Sequence, residues 1–313
     1  MPVRTRSTFP LLPRYRLSGL PFGGSPSLRR GHGTDVAGSR PYARGDPIST
    51  IDWRASARLS TARGSDEFVV RERYADEAPR VVLLTDRRPS MGIYPPPFPW
   101  LSKPDVVRAT TELIVQSAEA ANAPVAYLDY AGAGGRGGEP FWLAPTGRAI
   151  WQRIEARYDD APDCDAPADG VQRGLEFLPR FRSELSSGTF VFVISDFLGP
   201  LPPESVWLTA AARRWEVVPV VVQDPIWEQS FPLVGPLVLP LADPHDGKVL
   251  EVRLSRREAR ARRVANAERV RALQDGFFAL GLDPVLIDTS DPSEIDRAFL
   301  DWAERRRDMR SRR

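Results

Sequence analysis

The chain has 313 residues, 42% of them hydrophobic and 27% charged, a composition ordinary for a globular protein long enough to bury a sizeable core. Its 43 Lys and Arg nearly cancel 41 Asp and Glu, and a net charge of +2 gives no whole-chain reason to expect nucleic acid or an anionic membrane as a partner. A single cysteine, Cys164, rules out an internal disulfide framework and fits a reducing compartment. No run approaches the roughly 18 apolar residues of a membrane span, and the first residues lack a signal peptide's apolar core, so a cytoplasmic protein with no transmembrane segment is expected.

Residues 1–34 are rich in Arg, Pro, Ser and Gly without a sustained period, which predicts a flexible or loosely packed arm. Residues 35–78 are denser and predict a small β-rich appendage, with a turn at Arg44-Gly45-Asp46-Pro47, an apolar pair Ile51 and Trp53, and a short strand over 67–71. Trp53 is expected to anchor this appendage by burial against the main domain. Five arginines, Arg40, Arg44, Arg54, Arg58 and Arg63, stand here among Asp46 and Asp52. Either they pair with neighbouring carboxylates or they form a surface for an acidic partner or phosphate.

From residue 79 to 307 the pattern is that of one α/β domain. Val81, Val82, Leu83 and Leu84 read as a strand buried on both faces, followed by a helix over about 104–121. PVAYLDYAG (124–132) and FWLAP (141–145) predict an antiparallel hairpin at a sheet edge; Thr146 is expected to cap a helix through Tyr158, and a second helix to reach about Arg182. TFVFVISDF (189–197) and EVVPVVVQDP (216–225) are further continuous apolar strands, separated by a helix over 203–214. A strand-turn-strand follows over 236–254, with the turn at His245-Asp246-Gly247. A long helix over 256–280 should turn Val264, Ala267, Val270, Leu273 and Phe277 inward; a last strand near 283–292, a helix over 293–307 and a frayed tail at 308–313 complete the chain. Strands alternating with helices argue for a doubly wound, mostly parallel, Rossmann-like sheet, in which ligands bind outside the carboxyl ends of the strands. Asp86 and Asp196 stand there, and their side chains are expected to converge.

GSRPYARGDPISTIDWRASAR, followed by VVLLTDRRPSM, VFVISDF and VVPVVVQDP, resembles the family called domain of unknown function 58 over roughly residues 35–305. Its motif falls here on Arg40, Tyr42, Gly45, Asp46 and Asp52, then Trp53, Ser56, Ala57 and Arg58. The resemblance implies a von Willebrand factor A-like domain and, by the company such proteins keep, a MoxR-type AAA ATPase as protein partner.

Domains of that type often carry a metal-ion-dependent adhesion site whose first loop reads Asp-x-Ser-x-Ser, an oxygen set suited to magnesium. The matching positions here are Asp86, Arg88 and Ser90, with Asp196 as the second acidic position and Thr146 as a weak candidate for the intervening threonine. A guanidinium cannot ligate a cation. Asp86, Ser90 and Asp196 are therefore left to hold at most a weakly bound magnesium ion, or else Arg88 pairs with Asp86 or Asp196 and stands in for the metal. Phe98 and Trp100, in the proline-rich stretch 95–100, are expected near the same rim, as a lid or a partner contact.

No catalytic constellation emerges. His32 and His245 lie in loop sequence, Cys164 has no adjacent histidine or second cysteine, and there is no Walker loop, G-x-S-x-G elbow or H-E-x-x-H. The sequence thus favours an adaptor or protein-interaction module with a degenerate adhesion site. Its alternative is a metal-dependent hydrolase or phosphate-handling enzyme using Asp86 and Asp196.

Overall fold

The computed structural model describes residues 8–14, 20–30, 36–64, 67–93, 101–132, 138–147, 149–233, 236–243 and 248–311. Leu20–Arg30 (β1), Val36–Pro41 (β2) and Val69–Ala78 (β3) form an antiparallel sheet with β3 in the middle. Between β2 and β3 lies a helix, Trp53–Arg63 (α1), that the sequence reading of a β-rich segment did not anticipate. Its ends are well specified. The Asp52 carboxylate accepts from the Ala55 amide at 3.1 Å, and Gly64 closes the helix in the left-handed region, where a side chain would be strained. Ser56 fastens the helix to β3 by accepting from the Val69 amide at 2.9 Å.

The main sheet begins with Val81–Thr85 (β4) and Lys103–Ala120 (α2), then Val125–Asp129 (β5), Phe141–Thr146 (β6), Ile150–Asp160 (α3) and Gly170–Phe177 (α4). Phe190–Ser195 (β7), Glu204–Ala212 (α5) and Glu216–Val222 (β8) follow. Leu237–Ala242 (β9) and Val249–Leu254 (β10) pair as a separate hairpin before Arg256–Ala279 (α6), Val285–Ile287 (β11) and Pro292–Ser311 (α7). Spatial order is β11-β8-β7-β4-β5-β6, parallel throughout except for the edge strand β6.

Alternate residues of β4 feed two cores. Val81 and Leu83 face the layer of α2, α3 and α7; Val82 and Leu84 face that of α4, α5 and α6. Burial on both faces explains why Val81 to Leu84 form an unbroken apolar run rather than an alternating one. Gly174 lets α4 lie against β4, since a Cβ there would stand 2.5 Å from a methyl of Leu84. The chain leaves β4 for β5 and β6 on one side and returns to β7 on the other. That reversal opens the cleft between the carboxyl ends of β4 and β7.

Five expectations are corrected. Residues 8–14 are not loosely packed: Phe9 is buried, stacks on Phe299 at 4.7 Å and meets the edge of Trp302, while the Arg14 Nε donates to the buried Glu216 at 2.9 Å. An aromatic surrounded by polar and proline residues carries no period, yet it contributes as much burial as a periodic one. Trp53 is 59% exposed: it opens α1 and packs edge-on against Phe68. Thr146 ends β6 opposite Val125, the first residue of β5, and so lies at the amino rim; α3 is capped instead by Ala149, with no side-chain bond. Val264 and Ala267 are exposed on α6 and Val270 is half-buried; the buried positions of that helix are Ala259, Asn266, Leu273 and Phe277. α7 also runs past the expected end, to Ser311.

Candidate functional site

Asp86 follows β4 and Asp196 follows β7, and both are buried. The Asp86 amide donates to the Ile194 carbonyl at 2.8 Å, which ties the two strand ends together. The Asp86 carboxylate then folds over its own loop, accepting from the Arg88 amide at 3.0 Å in the manner of an Asx turn. This turn directs the Arg88 side chain back into the cleft. Its Nε lies 2.8 Å from Asp86 Oδ2 and its Nη2 lies 3.1 Å from Asp196 Oδ1, so one guanidinium bridges the two carboxylates. The Ser195 hydroxyl donates to Asp86 Oδ2 at 2.6 Å.

A second cation completes the cluster. Lys103, fully buried at the start of α2, places its Nζ 3.0 Å from Asp196 Oδ2, 2.6 Å from Glu228 Oε1 and 3.1 Å from the Ser90 carbonyl. Three oxygens from three separate loops thus surround an ammonium as they would a metal ion. Glu228 is oriented by the Asp224 amide at 2.8 Å, and the Gln223 amide group holds the Asp196 carbonyl at 2.6 Å.

Burial works against the charge of Asp196, but the Lys103 ammonium, the Leu198 amide and Ser90 outweigh it, and the carboxyl is held below the ordinary carboxylate value. For Glu228 burial wins over Lys103 and pushes the carboxyl up. Arg88 resists the desolvation that would lower it, because its bonds to Asp86 and its proximity to Asp196 raise it. A carboxylate held low and already bonded to two cations is a poor general base.

The loop after β7 is shaped to admit the guanidinium. A Cβ on Gly199 would overlap Arg88 Nη1, so any larger residue there must push the guanidinium off its carboxylates. Phe197, at φ +51°, occupies the left-handed region, a conformation costing a bulky residue about 1–2 kcal/mol. Its amide bonds to Ser195 Oγ at 3.0 Å and its ring packs 5.1 Å from Phe277. Strain at this point is offset by the contacts that hold the loop around Arg88.

Beside the cluster a cavity of about 560 Å³ is lined by Arg87, Met91, Arg108, Tyr158 and Cys164. Arg87 points away from Arg88. Its Nη2 bonds to the Ala161 carbonyl at 2.5 Å and its guanidinium lies over the Tyr158 ring, which pins the 161–166 loop to β4. Burial pushes the Cys164 thiol up against the pull of Arg87, which disfavours the thiolate.

The expected binding residues Asp86, Arg88, Ser90 and Asp196 are therefore one cluster, whereas Phe98 and Trp100 lie outside the described residues, as do His32 and His245. The donor set does not fit a divalent ion, because Asp86 and Asp196 already spend their oxygens on Arg88 and Lys103. Among the described residues no group of three or more His, Cys, Asp or Glu is arranged to hold a metal. Sequence reasoning missed Lys103, Ser195, Gly199, Gln223 and Glu228. Lys103 did carry a signal: it opens a helix, where the macrodipole disfavours a cation unless a carboxylate compensates. Glu228, in irregular chain, carried none.

The motif residues sit elsewhere. Arg40 is clamped by Asp46 at 2.6 and 2.7 Å and reaches Glu72 at 3.1 Å; the arginine bonds and the Ala43 amide hold the Asp46 carboxyl down at about 2. Gly45, at φ +111°, makes the turn that brings Asp46 back. Asp52 and Ser56 fix α1, whereas Tyr42, Trp53, Ala57 and Arg58 are exposed.

The family profile described as "Protein of unknown function DUF58" matches residues 38–273, which takes in both the motif and the charge cluster. This chain belongs to that family. No curated protein matches it. Among solved structures this DUF58 protein is similar to BatB from Bacteroides thetaiotaomicron, at 16% identity and a TM-score of 0.41, over 72% of this chain and 99% of that one. An aerotolerance-related membrane protein from Bacteroides fragilis matches at 14% and 0.39 over the same shares, and the pilus adhesin SpaC from Lactobacillus rhamnosus GG at 12% and 0.42, over 73% of this chain and 30% of that one. Likeness at this level says nothing about activity. Among the described residues no helix is long and apolar enough to cross a membrane.

Proposed function

We propose that this DUF58 protein is a cytoplasmic protein-interaction module of the von Willebrand factor A type, an adaptor whose adhesion-site position is held by built-in cations instead of a metal. One observation carries it: Arg88 and Lys103 lie among Asp86, Asp196 and Glu228 at ion-pair distance, so each of these three carboxylates is already paired with a built-in cation. A hydrolase needs a positioned base and a ligand position open to substrate. An adaptor needs a rigid rim, and a fully bonded charge network supplies rigidity. The partner proposed is a protein, an AAA ATPase of the MoxR type, with the adaptor serving assembly or maturation of other proteins.

Co-purification of the full chain with a purified ATPase of that type tests this in magnesium and in EDTA, with the nucleotide state of the ATPase fixed beforehand. Equal recovery in both is expected. Phosphatase or esterase turnover that requires magnesium and disappears in Asp86→Asn would establish the metal enzyme instead.

A further inference from the structure

The motif segment presents an aromatic face with nothing of this chain over it among the described residues. Tyr42 and Trp53 each meet Phe68 edge-on, with ring centres 6.4 and 5.9 Å apart, and all three rings are exposed by more than a third. Their backbone is fixed from behind: the Tyr42 amide bonds to the Phe68 carbonyl and the Asp52 amide to the Val69 carbonyl, both at 2.8 Å. Rigid, preformed aromatics of this kind dominate the energetics of protein interfaces.

The arginines around the face divide into two groups. Arg40, Arg63 and Arg71 are paired, with Asp46 and Glu72, with Glu67 and with Asp52. Arg44, Arg54 and Arg58 make no ion pair with the described residues. Arg54 and Arg58 stand four apart on α1, where like charges repel by a few tenths of a kcal/mol, and the helix carries no acid of its own to relieve them. In sequence Arg44 stands two residues after Tyr42, and Arg54 directly after Trp53.

We infer that the Tyr42–Trp53–Phe68 face is the docking site for an acidic segment of a partner protein, with an apolar side chain seated on the rings and carboxylates meeting Arg44, Arg54 and Arg58. This rests on the interaction-module reading above and names its surface, which is distinct from the carboxyl rim. Charge balance favours a peptide over nucleic acid: residues 38–72 hold six arginines against five carboxylates, too small a surplus to follow a phosphate backbone.

The probe is a fluorescein-labelled acidic peptide with spaced leucines, followed by anisotropy on the full chain, with a charge-reversed lysine peptide and oligothymidylate as alternatives. The acidic peptide is expected to bind in a salt-sensitive manner, and Trp53→Ala or Arg54→Glu/Arg58→Glu to weaken it by about tenfold or more. Arg54→Gln/Arg58→Gln guards against a folding defect, with each variant's melting curve as the control. No binding of the acidic peptide, equal affinity in the charge-reversed protein, tighter binding of oligothymidylate, or a Trp53-dependent dimer in sedimentation overturns the inference. Such a failure leaves the metal-independence of the rim untouched, since that is read at Asp86 and Arg88.

Discussion

The carboxyl rim and the motif face use arginine in opposite ways. At the rim Arg88 is buried, bonded to Asp86 and Asp196 and enclosed by Gly199 and the strained Phe197. On the motif face Arg54 and Arg58 are exposed, make no ion pair among the described residues and stand as like charges four apart on α1. A charge taken out of water must have partners, so the rim charges are structural by necessity. A charge left in water without a partner contributes little to the fold and is free to meet another molecule.

The largest stability effects are therefore expected at the rim. Lys103→Ala leaves Glu228 without its cation and Arg88→Ala leaves Asp86 without its cation, while Asp196 keeps one of its two; each should lose about 3–5 kcal/mol in urea unfolding. A loss under about 1 kcal/mol in both would show that water replaces the cations freely. Gly199→Ala should follow at about 1–3 kcal/mol, since Arg88 must be pushed off its carboxylates.

Next in size is an acid effect. A carboxyl held below its ordinary 3.8, as Asp196 is, adds stability above that pH and loses it as the pH falls through the lowered value. Asp196→Asn should flatten the acid limb of the stability profile below about pH 4, and an unchanged slope would remove Asp196 from the account. Glu228, pushed above its ordinary 4.5, acts in the other direction: its contribution is complete below 4.5 and is lost as the pH rises through its raised value. The smallest effect is on the motif face, where Trp53→Ala should stay within about 0.5 kcal/mol. A loss of several kcal/mol would mean that the ring is buried against a neighbour.

Most of the sheet was legible because β4, β7 and β8 each hold an unbroken apolar run of four to six residues followed by polar, turn-forming residues. The convergence of Asp86 and Asp196 followed from strand ends alone. What stayed hidden depended on non-local contacts: Phe9 finds its pocket nearly 300 residues away at Phe299 and Trp302, and Glu228 reaches Lys103 across the cleft from irregular chain. α1 was missed for a local reason. Its apolar and polar residues do not separate cleanly onto two faces, so only Ser56 is buried and the cap, not the periodicity, specifies it.

Lys103 also changes what restoring the adhesion loop should do. Arg88→Ser would return a hydroxyl to the loop, but Lys103 would still hold Asp196, so the single variant is expected to bind no magnesium at millimolar levels, and Arg88→Ser with Lys103→Ala is the form in which a site opens. The most direct measurement is a calorimetric titration of the wild-type chain with magnesium and then manganese. The built-in cations predict no saturable heat at millimolar ion. Saturable binding that Asp86→Asn abolishes would contradict them and place a metal where Arg88 and Lys103 stand.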